Sequence, residues 1–149
     1  YQANGEFEEK FASRHLNLIT SAPDHTLFIE ADGRRLWRVL ENLYNNAFKY
    51  ALEGSRIYVD VAEEDSMAVF TIKNMSSNPL NIKAEELTER FVRGDVARTT
   101  EGSGLGLSIA KSLTQLQGGT FEIYIDGDLF KVKVAFPVMR AAKQENLAE

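Results

Sequence analysis

Apolar and polar positions follow two different periods along this chain. Arg56–Glu63 (RIYVDVAE) and Met67–Lys73 (MAVFTIK) alternate with period two and are separated by polar Glu64-Asp65-Ser66, the pattern of an antiparallel hairpin. Thr120–Ile125 and Asp128–Phe136 flank Asp126-Gly127, a pair suited to a type I′ turn, whose two central positions both need φ > 0. Thr26–Ala31 reads as a further short strand. Asp32-Gly33 then turns the chain into a helical segment from Arg34 to about Leu52, with Asp32 as its N-cap. Leu105, Ile109, Leu113 and Leu116 recur at helical spacing, and Gly118-Gly119 closes that helix. Phe7, Phe11, Leu16 and Ile19 are weakly patterned and fit one or two helical turns or a leading strand. Between Asn74 and Gly104 only one helical turn, around Ala84–Phe91, is expected, and loops of that length in a compact domain usually carry a function. The order strand, long helix, hairpin, loop, helix, hairpin predicts a two-layer α+β sandwich with helices on one face of a mostly antiparallel sheet.

Composition narrows the chemistry. At 149 residues and 44% hydrophobic, the chain has the size and apolar content of one domain. It has no Cys and two separated His residues, which argues against a disulfide scaffold or a zinc centre. With 22 acidic against 17 basic residues, a broad nucleic-acid surface is not expected, though a few local cations could still hold an anion. No apolar run reaches membrane-spanning length, and the chain opens on Tyr1, so it reads as a piece of a longer protein. The expected division is a leader or linker over 1–25, one domain over 26–137 and a tail over 138–149.

Three local patterns invite a functional reading. On the long helix Asn42, Asn46, Lys49 and Glu53 fall within about 40° of a common line, opposite the face of Leu36, Leu40, Leu43, Ala47 and Ala51. Asn is a mediocre helix former, so the stripe is either an ordinary solvated face or a set of amide oxygens for Mg²⁺ followed by a Lys for phosphate. Gly102, Gly104 and Gly106 open the second helix, where backbone N–H groups and the positive helix end suit an anion. A flexible loop explains them equally well, and the spacing is neither a dinucleotide fingerprint nor a P-loop. Arg93 and Arg98, beside Phe91, are phosphate ligands or surface cations. Trp37 and Tyr50 read as core or rim aromatics. His15 and His25 lack a catalytic constellation and read as surface or packing residues.

The order of these patterns is more specific than any one of them. Asn42-Leu-Tyr-Asn-Asn46-Ala-Phe-Lys49-Tyr50, then Phe91-Val-Arg93-Gly-Asp95, then Gly102-x-Gly104-Leu105-Gly106-Leu107-Ser-Ile109 closely resembles the ATP-binding catalytic domain of bacterial sensor histidine kinases, within the superfamily that includes gyrase, the heat-shock chaperone ATPase and mismatch-repair ATPases. The resemblance spans Phe28 to Pro137. It implies a Bergerat-type fold with an ATP lid. Asn42 and Asn46 would hold Mg²⁺ and phosphates, Lys49 would meet a phosphate, and Tyr50 would lie near the nucleotide. Phe91 and Arg93 would belong to the lid, Arg98 would supply a phosphate-contacting cation, and Gly102, Gly104 and Gly106, with Leu105 and Leu107, would wrap the phosphates. The implied reaction passes the γ-phosphoryl of Mg-ATP to a His on a separate dimerisation domain and thence to a response regulator. The parent would be a membrane sensor with this domain in the cytoplasm.

One departure stands out. Where the family's D-x-G-x-G box places an Asp that accepts from the adenine amino group, this chain has Asn74-Met-Ser76-Ser-Asn78-Pro79. Asn74 retains a carbonyl acceptor, weaker than a carboxylate by about 1 kcal/mol, and the box lacks its glycines, so weak ATP binding or a lid that orders only with nucleotide is expected. The implied acceptor His and dimer interface fall outside this chain, so autophosphorylation by the chain alone is not expected. Other readings of the same motifs are a catalytically degenerate nucleotide-sensing or scaffolding module, and an anti-sigma-factor-type serine kinase.

Overall fold

The computed structural model describes residues 1–78 and 105–139. Within them lie three helices, α1 (Gln2–Ala12), α2 (Gly33–Tyr50) and α3 (Leu105–Leu116). Five strands, β1 (Asn17–Ser21), β2 (Arg56–Glu64), β3 (Met67–Met75), β4 (Thr120–Asp126) and β5 (Leu129–Pro137), form one sheet in the order β1-β2-β3-β5-β4. Only β1 and β2 run parallel.

Register sorts the sheet into two faces. Ile19, Tyr58, Lys73, Lys131 and Tyr124 lie side by side across all five strands on the outer face, with lysine ammonium groups over the two tyrosine rings. On the helix side Leu18, Ile57, Asn74, Phe130 and Ile125 form another row. Ile57, Phe130, Val59, Ile72 and Val132 join buried residues of all three helices in one core. This is the expected two-layer α+β sandwich.

Both hairpins form. In β2–β3 the two central residues Asp65 and Ser66 have φ of 51° and 64°, as a type I′ turn requires. The β4–β5 turn differs from expectation. Its pairing ends at Asp126–Leu129, so Gly127 and Asp128 are central, and of these only Gly127 has positive φ, the pattern of a type II′ turn. At the end of α3, Gly118 takes φ +83° and Gly119 lies so close to the β5 backbone that a Cβ would sit 2.9 Å from the Ala135 carbonyl.

One expected strand is absent. Thr26–Ala31 forms no strand, and its sheet contact is a single bridge from Ile29 to Val138. Residues 1–25 contribute α1 and β1 to the fold. Phe7 and Phe11, four apart and therefore on one side of α1, pack against Tyr44 with ring centroids 5.3 and 6.0 Å away, and β1 extends the sheet. Arg14 donates to the carbonyls of Phe48 and Ala51, satisfying the C-terminal end of α2. The expected tail over 138–149 lies outside the described residues beyond Met139.

Because Phe11 is 1% exposed at this junction, Phe11→Ala is expected to lower the unfolding free energy by about 3–5 kcal/mol in a single transition. Urea denaturation checks it, and a loss below about 0.5 kcal/mol would mark α1 as detachable.

Candidate functional site

The site is set by how α2 and α3 pack. Asp32 caps α2 as expected, its side chain accepting from the backbone N–H groups of Arg34 and Arg35. The Asp32 N–H in turn donates to Gln117 Oε1 at 2.7 Å, tying the start of α2 to the end of α3. Leu107, Ala110 and Thr114 are buried at helical spacing along α3, and the Thr114 hydroxyl is turned back onto the Ala110 carbonyl at 2.7 Å. Gly106, in the first turn of α3, faces the middle of α2, where a Cβ would lie 3.6 Å from Asn42 Oδ1. The two helices are therefore antiparallel, and α3 begins beside Asn42. At 1.5 Å per residue, Asn46 and Lys49 project about 6 and 10 Å beyond that point. Both continue α2 past the start of α3, a helix end that carries partial positive charge.

The third side comes from β3. The Leu52 N–H donates to the Met75 carbonyl at 2.8 Å and the Ser77 N–H to the Tyr50 carbonyl at 2.8 Å, fastening the end of α2 over the end of β3. Asn74 is the one polar member of its cross-strand row, between Ile57 and Phe130, and is 3% exposed. Among the described residues, two buried side-chain nitrogens have no hydrogen-bond partner: Asn74 Nδ2 and Asn42 Nδ2. An unsatisfied buried donor costs about 1–3 kcal/mol, and such a group in a native fold calls for a ligand, water or ion to complete it.

Gly106 thus lies beside Asn42, and the bonds joining residues 50–52 to 75–77 bring the end of α2 to the end of β3, which carries Asn74. Asn46 and Tyr50 are half-buried and Lys49 is exposed, while burial pushes the Tyr50 phenol up from its ordinary pKa. Leu107 is different: its side chain is 2% exposed in the core, so only its backbone is available to a ligand. Phe91, Arg93, Arg98, Gly102, Gly104 and the side chain of Leu105 lie outside the described residues.

The remaining candidates serve the scaffold. His15 has φ 55° at the turn between α1 and β1. His25 does have acidic neighbours, Asp24 at 3.1 Å and Glu63 at 3.5 Å, whose hydrogen bonds raise its pKa, but it is exposed in the loop before α2. Trp37 lines a cleft of about 950 Å³ with Leu40, Tyr44 and Phe70, near the start of α1. That cleft holds neither orphaned amide. Arg14 is the structural contributor that sequence reasoning missed, because its partners are the carbonyls of Phe48 and Ala51, 34 and 37 residues away.

A profile of the histidine kinase-, DNA gyrase B- and HSP90-like ATPases matches residues 31–140. The chain is 36% identical over 115 residues to the sensor histidine kinase WalK of Bacillus subtilis, covering 74% of this chain and 19% of that protein. It is 32% identical over 119 residues to the signal transduction histidine-protein kinase BaeS of Escherichia coli, covering 78% of this chain and 25% of BaeS. This chain thus spans about a quarter or less of those relatives. The nucleotide-free catalytic domain of the histidine kinase ThkA superposes with a TM-score of 0.77 at 25% identity, covering 91% of this chain and 88% of that one.

If the Asn74 amide is held in place for a ligand, Asn74→Leu removes an orphaned donor from an apolar row. Without nucleotide its unfolding free energy is expected to stay level or rise by up to about 1–2 kcal/mol. A loss above about 2 kcal/mol in chemical denaturation would show instead that the amide supports the fold.

Proposed function

We propose, on the premise that the chain belongs to the histidine kinase-, DNA gyrase B- and HSP90-like ATPases, that it is the ATP-binding catalytic domain of a sensor histidine kinase. In this reading it presents the γ-phosphoryl group of Mg-ATP to a His on a separate dimerisation domain of the same protein, from which the group passes to a response regulator. The observation that carries the proposal is the start of α3 at Asn42, next to amide groups with nothing to bind. Helix N–H groups and the positive helix end favour polyphosphate, Lys49 adds a cation on one flank, and the orphaned Asn42 Nδ2 offers a donor to a phosphate oxygen.

The donor set also suits Mg²⁺. Asn42 and Asn46 supply neutral amide oxygens, and Mg²⁺ is commonly held by one or two protein groups together with substrate phosphates and water. When bound, Mg²⁺ neutralises phosphate charge and helps align the γ-phosphoryl group. The chain's own residues position the nucleotide, since phosphoryl transfer depends mainly on alignment and charge stabilisation. Phe91, Arg93, Arg98, Gly102 and Gly104 lie outside the described residues, and their part in the proposal is the one that the resemblance implies. A membrane-anchored parent with this domain in the cytoplasm is part of the proposal; among the described residues no helix is long and apolar enough to cross a membrane.

Calorimetry on the 149-residue chain tests the reading. Mg²⁺-dependent ATP binding is expected, weakened about tenfold or more by Asn46→Ala or Lys49→Ala, with no acid-labile phosphate formed on the chain itself. Absence of ATP binding, or binding indifferent to both substitutions, contradicts the site. Acid-labile phosphate on this chain contradicts a separate acceptor domain.

A further inference from the structure

Resting on that reading of the site, we infer that the pocket accepts 6-oxopurine nucleotides as well as ATP, because the base-facing group is an unpartnered carboxamide.

The assignment of ends follows from the surroundings. Polyphosphate belongs at the first turn of α3, with Asn46 and Lys49 alongside. Asn74 lies under the last turn of α2, flanked across the sheet by Ile57 and Phe130, both buried. Apolar neighbours of that kind suit the faces and edges of a heterocyclic ring and do not suit a charged phosphate. Asn74 is 3% exposed, its Nδ2 has no partner, and every other member of its row is apolar. Among the described residues of this row the amide is the one polar side chain, and in this inference it reads the base edge.

A carboxamide is chemically two-sided. Its oxygen accepts and its nitrogen donates, and a half-turn about χ2 exchanges them at the same place. Toward the 6-amino group of adenine the oxygen accepts. Toward the 6-oxo group of hypoxanthine or guanine the nitrogen donates, which satisfies the orphaned Nδ2. An ionised carboxylate only accepts, so against a 6-oxo group it would set acceptor against acceptor. Asn74 therefore removes a selection against 6-oxopurines that an Asp at the same position would impose.

The test compares ATP with inosine triphosphate in calorimetry on the intact chain, its Asn74→Asp variant and its Asn74→Leu variant. Inosine differs from adenosine at the 6-substituent and at the N1 proton, and the N1 difference is common to all three proteins. The wild-type chain is expected to bind the two nucleotides within about tenfold of each other. Asn74→Asp should widen the preference for ATP by at least about tenfold, and Asn74→Leu should weaken both nucleotides by a similar factor. ATP binding with rejection of inosine triphosphate by about a hundredfold or more in the wild type overturns the inference while leaving the ATP site standing. A preference unchanged in Asn74→Asp overturns it as well. Should that variant not fold, the wild-type ratio and the Asn74→Leu result decide, and selective loss of one nucleotide in Asn74→Leu counts against the inference. Binding of neither nucleotide to the wild type overturns the reading of the site itself.

Discussion

The antiparallel seating of α3 against α2 is the constraint from which the site follows. Leu107, Ala110 and Thr114 bury one side of α3, and the bond from the Asp32 N–H to Gln117 Oε1 fixes how far along α2 the shorter helix runs. With 12 residues against 18, α3 starts partway along α2, beside Asn42. Two turns of α2 extend past that start, carrying Asn46, Lys49 and Tyr50. A Cβ at position 106 would meet Asn42 at 3.6 Å, ordinary contact, so the approach of α3 does not itself demand glycine there. Seated one turn differently, the first-turn amides of α3 would no longer open onto the same side chains.

A second requirement is that the overhanging end of α2 stay in place. It is held from three directions: Arg14 donates to its last carbonyls, the residues at 50–52 bond to those at 75–77, and Phe11 stacks on Phe48 with ring centroids 6.4 Å apart. These contacts also bring Asn74 beneath the helix. Asn42 and Asn74 each retain a buried donor without a partner, at a cost to the fold. If these residues hold the ligand as proposed, their fixed placement reduces the ordering cost of binding.

Much of this was legible in the sequence because local rules and tertiary structure agree. The Asp32 cap, the extent of α3 and both hairpins follow from periodicity and turn chemistry. Residues 1–25 were less legible. Phe7 and Phe11 form a narrow stripe in an otherwise polar segment, and its meaning depends on Tyr44 and Phe48, which are distant in sequence. The strand expected at Thr26–Ala31 had the right residues but finds a sheet partner at Ile29 alone, since β1 occupies the edge beside β2. Within the site, the amide stripe on α2 and the glycine at 106 could be read from spacing. The burial of the Leu107 side chain leaves its backbone as the part that a ligand could meet. That Asn74 is unsatisfied could not be read from sequence at all, as it depends on what surrounds the amide in space.

The central claim is that the orphaned amides and the first turn of α3 face one ligand. Its most direct test is nuclear magnetic resonance of the chain, with assigned side-chain amides, titrated with Mg-ATP. The account predicts that the Nδ2 resonances of Asn42 and Asn74 and the backbone amides of Gly106 and Leu107 shift together along one binding curve. Unmoved resonances at those four residues, with shifts gathered instead around Trp37, Leu40 and Tyr44, would place the ligand in the cleft near α1 and contradict the account.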